Sequence, residues 1–357
     1  MKPNSALYSH KPISHGGIYS ISKPSLGILD FSSNINPLGP PPRVLKTLKN
    51  QLKTLQIYPD SNSLDLRKNL QNYTKIPFSQ IVIGNGATEI IYNFCMTLLS
   101  KKTPVLIPVP TFGEYEVAAK LAGAKVEFYK TMNLTEDLDA FISKLPRNGC
   151  TFICNPNNPT GFLLSKNLLK KIIVSAKKKN TIVFLDECFI ELVPDYSESV
   201  VNLVKKYDNL FVLRSLTKSF GLAGIRVGYG IGTKKLISIL NKIKIPWNVS
   251  GLAQHAASTA ISNPNYMKQT KKIIKTELIY LKKNISKLKN FECYNSTTNF
   301  ILIKSKLKSS ILKQKLLKKK ILIRDCSNFS GLNNYHFRVA VKTRKENQKL
   351  VRALEEL

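Results

Sequence analysis

No run of about 18 consecutive apolar residues occurs in the 357-residue sequence, so no membrane-spanning helix is expected. The first 30 residues also lack the apolar core of an export signal. The opening MKPNSALYSHKPISHGG is polar and carries glycine, which points to a cytoplasmic protein. Cysteine is sparse, with six residues scattered at 95, 150, 154, 188, 293 and 326. Without an export signal these read as reduced thiols. Cys150 and Cys154 have no second pair at a suitable spacing, so no metal site is expected. Internal repeats and low-complexity linkers are lacking as well. Acidic residues are scarce: 22 Asp and Glu face 55 Lys and Arg, giving a net charge of +33.

A charge of that size can attract nucleic acid or an anionic membrane. Only nine of the 55 basic residues are arginine, however, and the lysines cluster in helix-like segments such as KKIIVSAKKKN and LKQKLLKKK. Beside apolar stripes, such lysines form solvated helix faces. No aromatic-interleaved basic groove and no nucleic-acid motif accompanies them. A polyanion binder is therefore a remote reading, and no specific nucleic-acid or membrane partner is expected. The apolar content of 43% supports a large core, and the length suggests two or three lobes.

Residues 1–40 form a loop-rich arm ending in NINPLGPPP. Helical spacing follows over 41–55, opened by proline, and again in LDLRKNLQNYTK. A repeated pattern then begins, in which a short apolar run leads into a polar turn and an amphipathic stretch. IVIGNGATEIIYNFCMTLL, VLIPVPTFGEYEVAAKLAG, TFICNPNNPTG, TIVFLDECF and NLFVLRSLTKSFGLAGIRVGYGIG all carry it in whole or part. The alternation predicts an α/β fold with a large, mainly parallel sheet between helices, over 41–260. Ligands of such sheets gather at the carboxyl ends of the strands, where the polar clusters fall. Residues 261–357 predict a smaller α+β domain: a long helix over about 264–289, then strands in FECYNSTTNFILIKS, ILIRDCSNF and YHFRVAV around a Lys-rich helix. The N-terminal arm is expected to join this lobe.

The polar clusters carry chemistry. In SLTKSFGLAGIRVGY, Lys218 sits among Ser215 and Thr217, with Arg226 eight residues on. A lysine that forms a Schiff base with an aldehyde needs an anchor for a phosphate nearby, and hydroxyls and a guanidinium supply it. Asp186 ends the run TIVFLD, where a carboxylate can pair with a protonated pyridine nitrogen. Asn158, in NPNNPTG, can donate to a ring hydroxyl, although turn chemistry alone explains the segment. Gly86, Ala87 and Thr88 stand at a strand-to-helix turn whose N–H groups can cradle a phosphate. Phe112, in PTFGEY, can stack on an aromatic ring.

In this order the motifs resemble fold-type I pyridoxal-phosphate enzymes, the aspartate-aminotransferase-like superfamily, over nearly the whole chain. The resemblance implies pyridoxal 5'-phosphate as cofactor. Lys218 is then the Schiff-base lysine, Asp186 the partner of the pyridine nitrogen, Asn158 that of the ring hydroxyl, and Phe112 the stacking ring. Gly86, Ala87, Thr88, Ser215, Thr217 and Arg226 hold the cofactor phosphate. Tyr58, in IYPDSNS, matches a tyrosine that reaches that phosphate from the other subunit, so a homodimer is implied. Arg338, in YHFRVAV, matches the arginine that binds substrate anions.

Two branches are similar to this chain: histidinol-phosphate aminotransferase and threonine-phosphate decarboxylase of the cobalamin pathway. Both carry a second arginine, here Arg324 in ILIRDCSNF, and two arginines converging on one anion suit a phosphate. His15-Gly16-Gly17 resembles the HGG near the start of the decarboxylase branch, and implies a histidine at the substrate phosphate. DECF places Phe189 where many aminotransferases have a hydrogen-bonding tyrosine, again similar to the decarboxylases. PWNVSGLAQHAA fits both branches. The expectation is decarboxylation of L-threonine O-3-phosphate to (R)-1-amino-2-propanol O-2-phosphate, with histidinol-phosphate transamination as the alternative.

Overall fold

A short strand, β1 (Leu29–Asp30), closes the arm. Seven strands follow: β2 (Ile81–Gly84), β3 (Pro104–Val109), β4 (Lys125–Lys130), β5 (Cys150–Cys154), β6 (Ile182–Asp186), β7 (Leu210–Ser215) and β8 (Gly228–Ile231). Five more complete the chain: β9 (Phe291–Cys293), β10 (Phe300–Ser305), β11 (Ile321–Leu322), β12 (Arg324–Asp325) and β13 (His336–Ala340). These elements come from a computed structural model that describes residues 12–24, 27–194 and 198–357. The expected arm of residues 1–40 is thus described only from residue 12, without 25 and 26.

The large sheet has the order β2-β8-β7-β6-β5-β3-β4, and β8 alone runs against the rest. The mainly parallel α/β architecture inferred from the alternating pattern is the one observed. β5 and β7 are buried along their whole length, and β6 from Val183 onward, as strands covered on both faces must be. Their apolar, largely β-branched and aromatic side chains suit a pleated surface packed on both sides. Phe94, Phe152, Phe184 and Phe211 interlock on one face, with Phe94 and Phe184 edge to face at 4.7 Å. The covering helices bury single stripes. In the helix Lys166–Lys178, Leu169, Ile172, Ile173 and Ala176 recur at helical spacing, and the Ser165 side chain caps the Leu168 N–H.

The second sheet has the order β12-β13-β10-β9 and is antiparallel. β1 of the arm pairs with β11 in parallel, Leu29 opposite Ile321. The arm thereby joins this end of the molecule. The long helix spans Pro264–Ile285, four residues short of the expected end, because its last turn closes at Ser286 and the chain turns into β9. The expected 41–55 helix divides into Pro42–Gln51 and a 3₁₀ turn over Leu52–Thr54. β4 goes beyond the pattern: KVEFYK is an edge strand largely exposed to solvent, and its alternation is short, Val126 and Phe128 alone, on either side of Glu127.

The chain leaves β3 for the edge strand β4, then returns past β3 to β5. The connections diverge between β3 and β5, and such a switch point opens a crevice at the carboxyl ends. The register carries Cys154 of β5, Asp186 of β6 and Leu213 of β7 to one level there.

Behind that level lies a buried ion cluster. Arg214 of β7 donates to Glu187 at 2.9 Å, to Glu191 at 3.3 Å and to the Ser199 hydroxyl at 2.8 Å. Removing the guanidinium leaves two buried carboxylates facing one another. Arg214→Met is expected to destabilise the protein by about 3–5 kcal/mol, as breaking a buried pair does. Urea denaturation checks this; an unchanged midpoint would show that the cluster adds nothing to stability.

Candidate active site

A cavity of about 780 Å³ opens at the carboxyl ends of the large sheet, between that sheet and β12–β13. Its lining includes His15, Ala87, Thr88, Phe112, Asn158, Asp186, Ser215, Thr217, Lys218, Arg226, Arg324 and Arg338. Twelve of the fourteen candidate site residues thus line one cavity, and Phe189 lines it too. Gly86 lies just behind it, against Arg226. Tyr58 is elsewhere: its ring lies tilted against Trp247, 4.8 Å between ring centres, and the residue is 77% exposed, outside this chain's own cavity.

Lys218 projects from the four-residue helix Leu216–Ser219, whose N-cap is Ser215 at the end of β7. Its side chain is set deep among protein atoms but keeps access to the cavity. Burial, aided by the nearby Arg338 and Arg226 charges, lowers the ammonium from the usual lysine range to about 8. The arm holds this loop: the Asn36 N–H donates to the Lys218 carbonyl at 3.1 Å and the Asn36 side chain to the Ser219 carbonyl at 2.7 Å.

Asp186 sits at the end of β6, where the strand stops and the Cys188 N–H bonds back to it at 2.8 Å. Tyr115 donates its hydroxyl to the other carboxylate oxygen at 2.6 Å. Burial raises the Asp186 pKa, and these hydrogen bonds oppose the rise. Tyr115 was missed by the sequence reading. It lies one helical turn beyond Phe112 in PTFGEY, and that spacing was the available signal.

The phosphate turn is built around Gly86, at φ +78, in the left-handed region that favours glycine. A Cβ there would collide with the Arg226 guanidinium, and one on Gly228 would stand 2.7 Å from the Ala87 N. Two glycines therefore let a guanidinium and a helix N-terminus approach one another, with the Ser215 and Thr217 hydroxyls alongside. That arrangement fits a phosphate. Phe112 lies across the cavity, edge to face with Tyr115 at 5.6 Å. Phe189 packs edge to face on Phe300 at 5.1 Å.

Arg338 of β13 and Arg324 of β12 are direct register partners. Like charges opposite one another on a sheet repel unless an anion sits near them. Arg338 donates to the Asn158 side-chain oxygen and, at 3.0 Å, to the Ser32 carbonyl. Its buried Nε has no partner among the described residues. Arg324 donates to the Ser14 carbonyl at 2.6 Å and to Asn328 at 2.8 Å. Burial lowers both guanidiniums, Arg338 to about 10. The two, expected to converge on one anion, both line the cavity and have different protein partners, Asn158 and Ser32 for one and Ser14 and Asn328 for the other.

The model of the class I and II aminotransferases matches residues 27–354. The chain belongs to that family. A Caldanaerobacter subterraneus protein provisionally named a threonine-phosphate decarboxylase is 38% identical over 97% of this chain and 94% of its own. The crystal structure of the histidinol-phosphate aminotransferase from Clostridium acetobutylicum is 36% identical, with a TM-score of 0.84 over 92% of this chain and 98% of that one. The L-threonine-O-3-phosphate decarboxylase from Porphyromonas gingivalis superposes equally well, TM-score 0.84, at 26% identity over 92% and 99%. This class I/II aminotransferase-family protein is a pyridoxal-phosphate-dependent enzyme of fold type I.

The residues present fit that cofactor. The glycine cradle suits its phosphate, Asp186 offers a buried carboxylate to the ring nitrogen, and Lys218 offers an amine with a substantial neutral fraction near physiological pH. With a pKa of about 8, roughly a tenth of Lys218 is neutral at pH 7, against less than about a thousandth for an ordinary lysine. Capture of the cofactor by the apo-enzyme is therefore expected to accelerate tenfold per pH unit below pH 8 and to level off above it. Stopped-flow absorbance measures this, and a rise continuing past pH 10 would contradict it. Borohydride reduction should fix the cofactor to the wild type but not to Lys218→Ala.

Proposed function

We propose that this enzyme decarboxylates L-threonine O-3-phosphate in the cytoplasm, as a homodimer, on the route to the aminopropanol unit of cobalamin. The observation that carries the reading is His15 of the arm on the lining of the cavity, beside Phe112, with Arg324 and Arg338 on the same lining. The two guanidiniums, register partners with different protein contacts, suit a substrate with two anionic ends, a carboxylate and a phosphate. Histidinol phosphate bears only the phosphate, and in its transamination the second anion would come from 2-oxoglutarate. The 38% identity to the Caldanaerobacter protein supports the decarboxylase reading, as does Phe189. The proposal carries with it a division into arm (1–40), cofactor-binding domain (41–260) and small domain (261–357).

When bound, pyridoxal phosphate supplies an electron sink for the bond that lies perpendicular to its ring. The protein chooses which bond that is by where it anchors the substrate. In our assignment, Arg338, steadied by Asn158 and Ser32, holds the carboxylate on the wall nearest Lys218. Arg324 holds the phosphate farther out, beneath the arm. Fixing both ends leaves the substrate one rotational state about its Cα, which is orientation rather than new chemistry. Lys218 Nζ, with its pKa near 8, can then return a proton to the carbon that has lost CO₂. Asp186, in its buried setting, keeps the ring nitrogen charged.

Product analysis decides between the two branches. The loaded enzyme with L-threonine O-3-phosphate, and no keto acid, is expected to release CO₂ and aminopropanol phosphate. A parallel reaction holds histidinol phosphate and 2-oxoglutarate. Glutamate there, with no CO₂ in the first, would make the enzyme the aminotransferase.

A further inference from the structure

The arm crosses the cavity between the two sheets, and its residues are gripped from both sides. On the β12 side, Arg324 and Asn328 both donate to the Ser14 carbonyl, at 2.6 and 3.2 Å. On the large-sheet side, His15 Nε2 meets Glu114 Oε1 at 2.7 Å. Ile13 lies over Gly113, where a Cβ would collide with its side chain. Gly17 donates its N–H to the Ser32 hydroxyl at 2.7 Å, and Ser32 in turn bonds Asp30 at 2.6 Å.

Glu114 is the odd member of this set. It begins the helix Glu114–Leu121, where an acidic side chain suits the positive end of the helix. Yet it is turned inward and buried, and its second oxygen accepts the Tyr92 hydroxyl at 2.7 Å. Burial and Glu114 together push the Tyr92 phenol above its usual range, so it stays a donor. Tyr92 thus fixes one carboxylate oxygen and leaves the other to hold the imidazole. That imidazole stands on the cavity wall beside Phe112, at 5.9 Å between ring centres.

We propose that Glu114 is a positioning residue: acting through His15, it holds the arm across the cavity and so sets the preference for a phosphorylated substrate. Glu114 itself touches neither substrate nor cofactor in this scheme. The inference rests on the reading of the outer anion position as a phosphate site. With the latch closed, His15 and the Ser14 carbonyl that orients Arg324 are both in place before substrate arrives, so less ordering is needed on binding. Without it, the arm loses its side-chain hydrogen bond to the large-sheet side and keeps there the packing of Ile13 on Gly113.

The test uses the holoenzyme and reads binding, separately from turnover. L-Threonine O-3-phosphate and L-threonine are each titrated while the absorbance of the bound cofactor is followed, and the ratio of the two Kd values is the phosphate preference. Glu114→Ala is expected to cut that preference about tenfold, equivalent to about 1.4 kcal/mol, with the Kd for L-threonine little changed. His15→Ala should lose at least as much, because it removes both the latch and the imidazole at the phosphate. The double variant should be no worse than His15→Ala, because Glu114 acts only through that imidazole. Glu114→Gln, which keeps an acceptor oxygen for the imidazole, should restore most of the preference. Additive losses, a preference unchanged in Glu114→Ala, or a wild type with no preference for the phosphorylated ligand would each overturn the inference. Failure of the decarboxylase reading is a different result: tight, phosphate-selective binding without release of CO₂.

Discussion

A buried carboxylate and a buried amine, placed one strand apart at the end of the large sheet, set the terms for what surrounds them. Among the described residues, Asp186 takes its hydrogen bonds from Tyr115 and Cys188, not from Lys218. Burial pushes the two groups in opposite directions, the carboxyl up and the ammonium down. Each is thereby held toward its neutral form, and charging either costs free energy unless a partner arrives. A ring with a protonated nitrogen at one end and an aldehyde nearby meets both demands at once. The cofactor's electron sink and the stability of this end of the sheet therefore depend on the same pair of desolvated groups.

The parallel sheet makes that placement possible because β5, β6 and β7 end at one level beside the switch point. Three consecutive polar turns then project into one crevice, and a fourth, after β2, brings a helix N-terminus. What closes the crevice is irregular chain. The arm has little secondary structure of its own, so its backbone groups are satisfied elsewhere. Phe31 accepts from Ala340, Asn36 donates to Lys218, and Ser32 accepts from Arg338. An arm tied in this way to β13 and to the lysine loop transmits any displacement of one sheet to the other.

Much of this was legible from the sequence, for identifiable reasons. Lys218, Asp186, Asn158 and the Gly86 turn lie at ends of apolar runs, and the run itself says where a strand stops. A parallel sheet brings such ends together without long-range information. Register across an antiparallel pair is different. Nothing local in ILIRDCSNF or YHFRVAV places Arg324 opposite Arg338, because that pairing depends on the loop between the strands. Tyr115 and Glu114 were overlooked for another reason. Both follow Phe112 within one helical turn, but a Tyr and a Glu on an amphipathic helix read as core and surface, and only the tertiary packing turns both inward. Tyr58 was legible as a motif, yet its place beside Trp247 shows that a single chain does not bring every such residue to its own cavity.

The division of labour between the sheets also explains how similar folds come to carry different reactions. The large sheet supplies groups that any reaction of this cofactor needs: an amine, a carboxylate for the ring nitrogen and a phosphate cradle. The small sheet and the arm supply the groups that decide how a substrate is turned. On the proposed reading, bond choice depends on an angle about the substrate Cα, and the angle depends on where the substrate's two anions are held. A shift of about an ångström in Arg324 relative to Arg338 is enough to cost a hundredfold in rate for one bond. The first set tolerates little change and the second a great deal, so relatives with the same fold are expected to differ first at β12, β13 and the arm. The latch at Glu114 belongs to that second set. It spans both sheets, and through the arm it links the carbonyl that orients Arg324 to the helix that carries Tyr115, the residue bonded to Asp186.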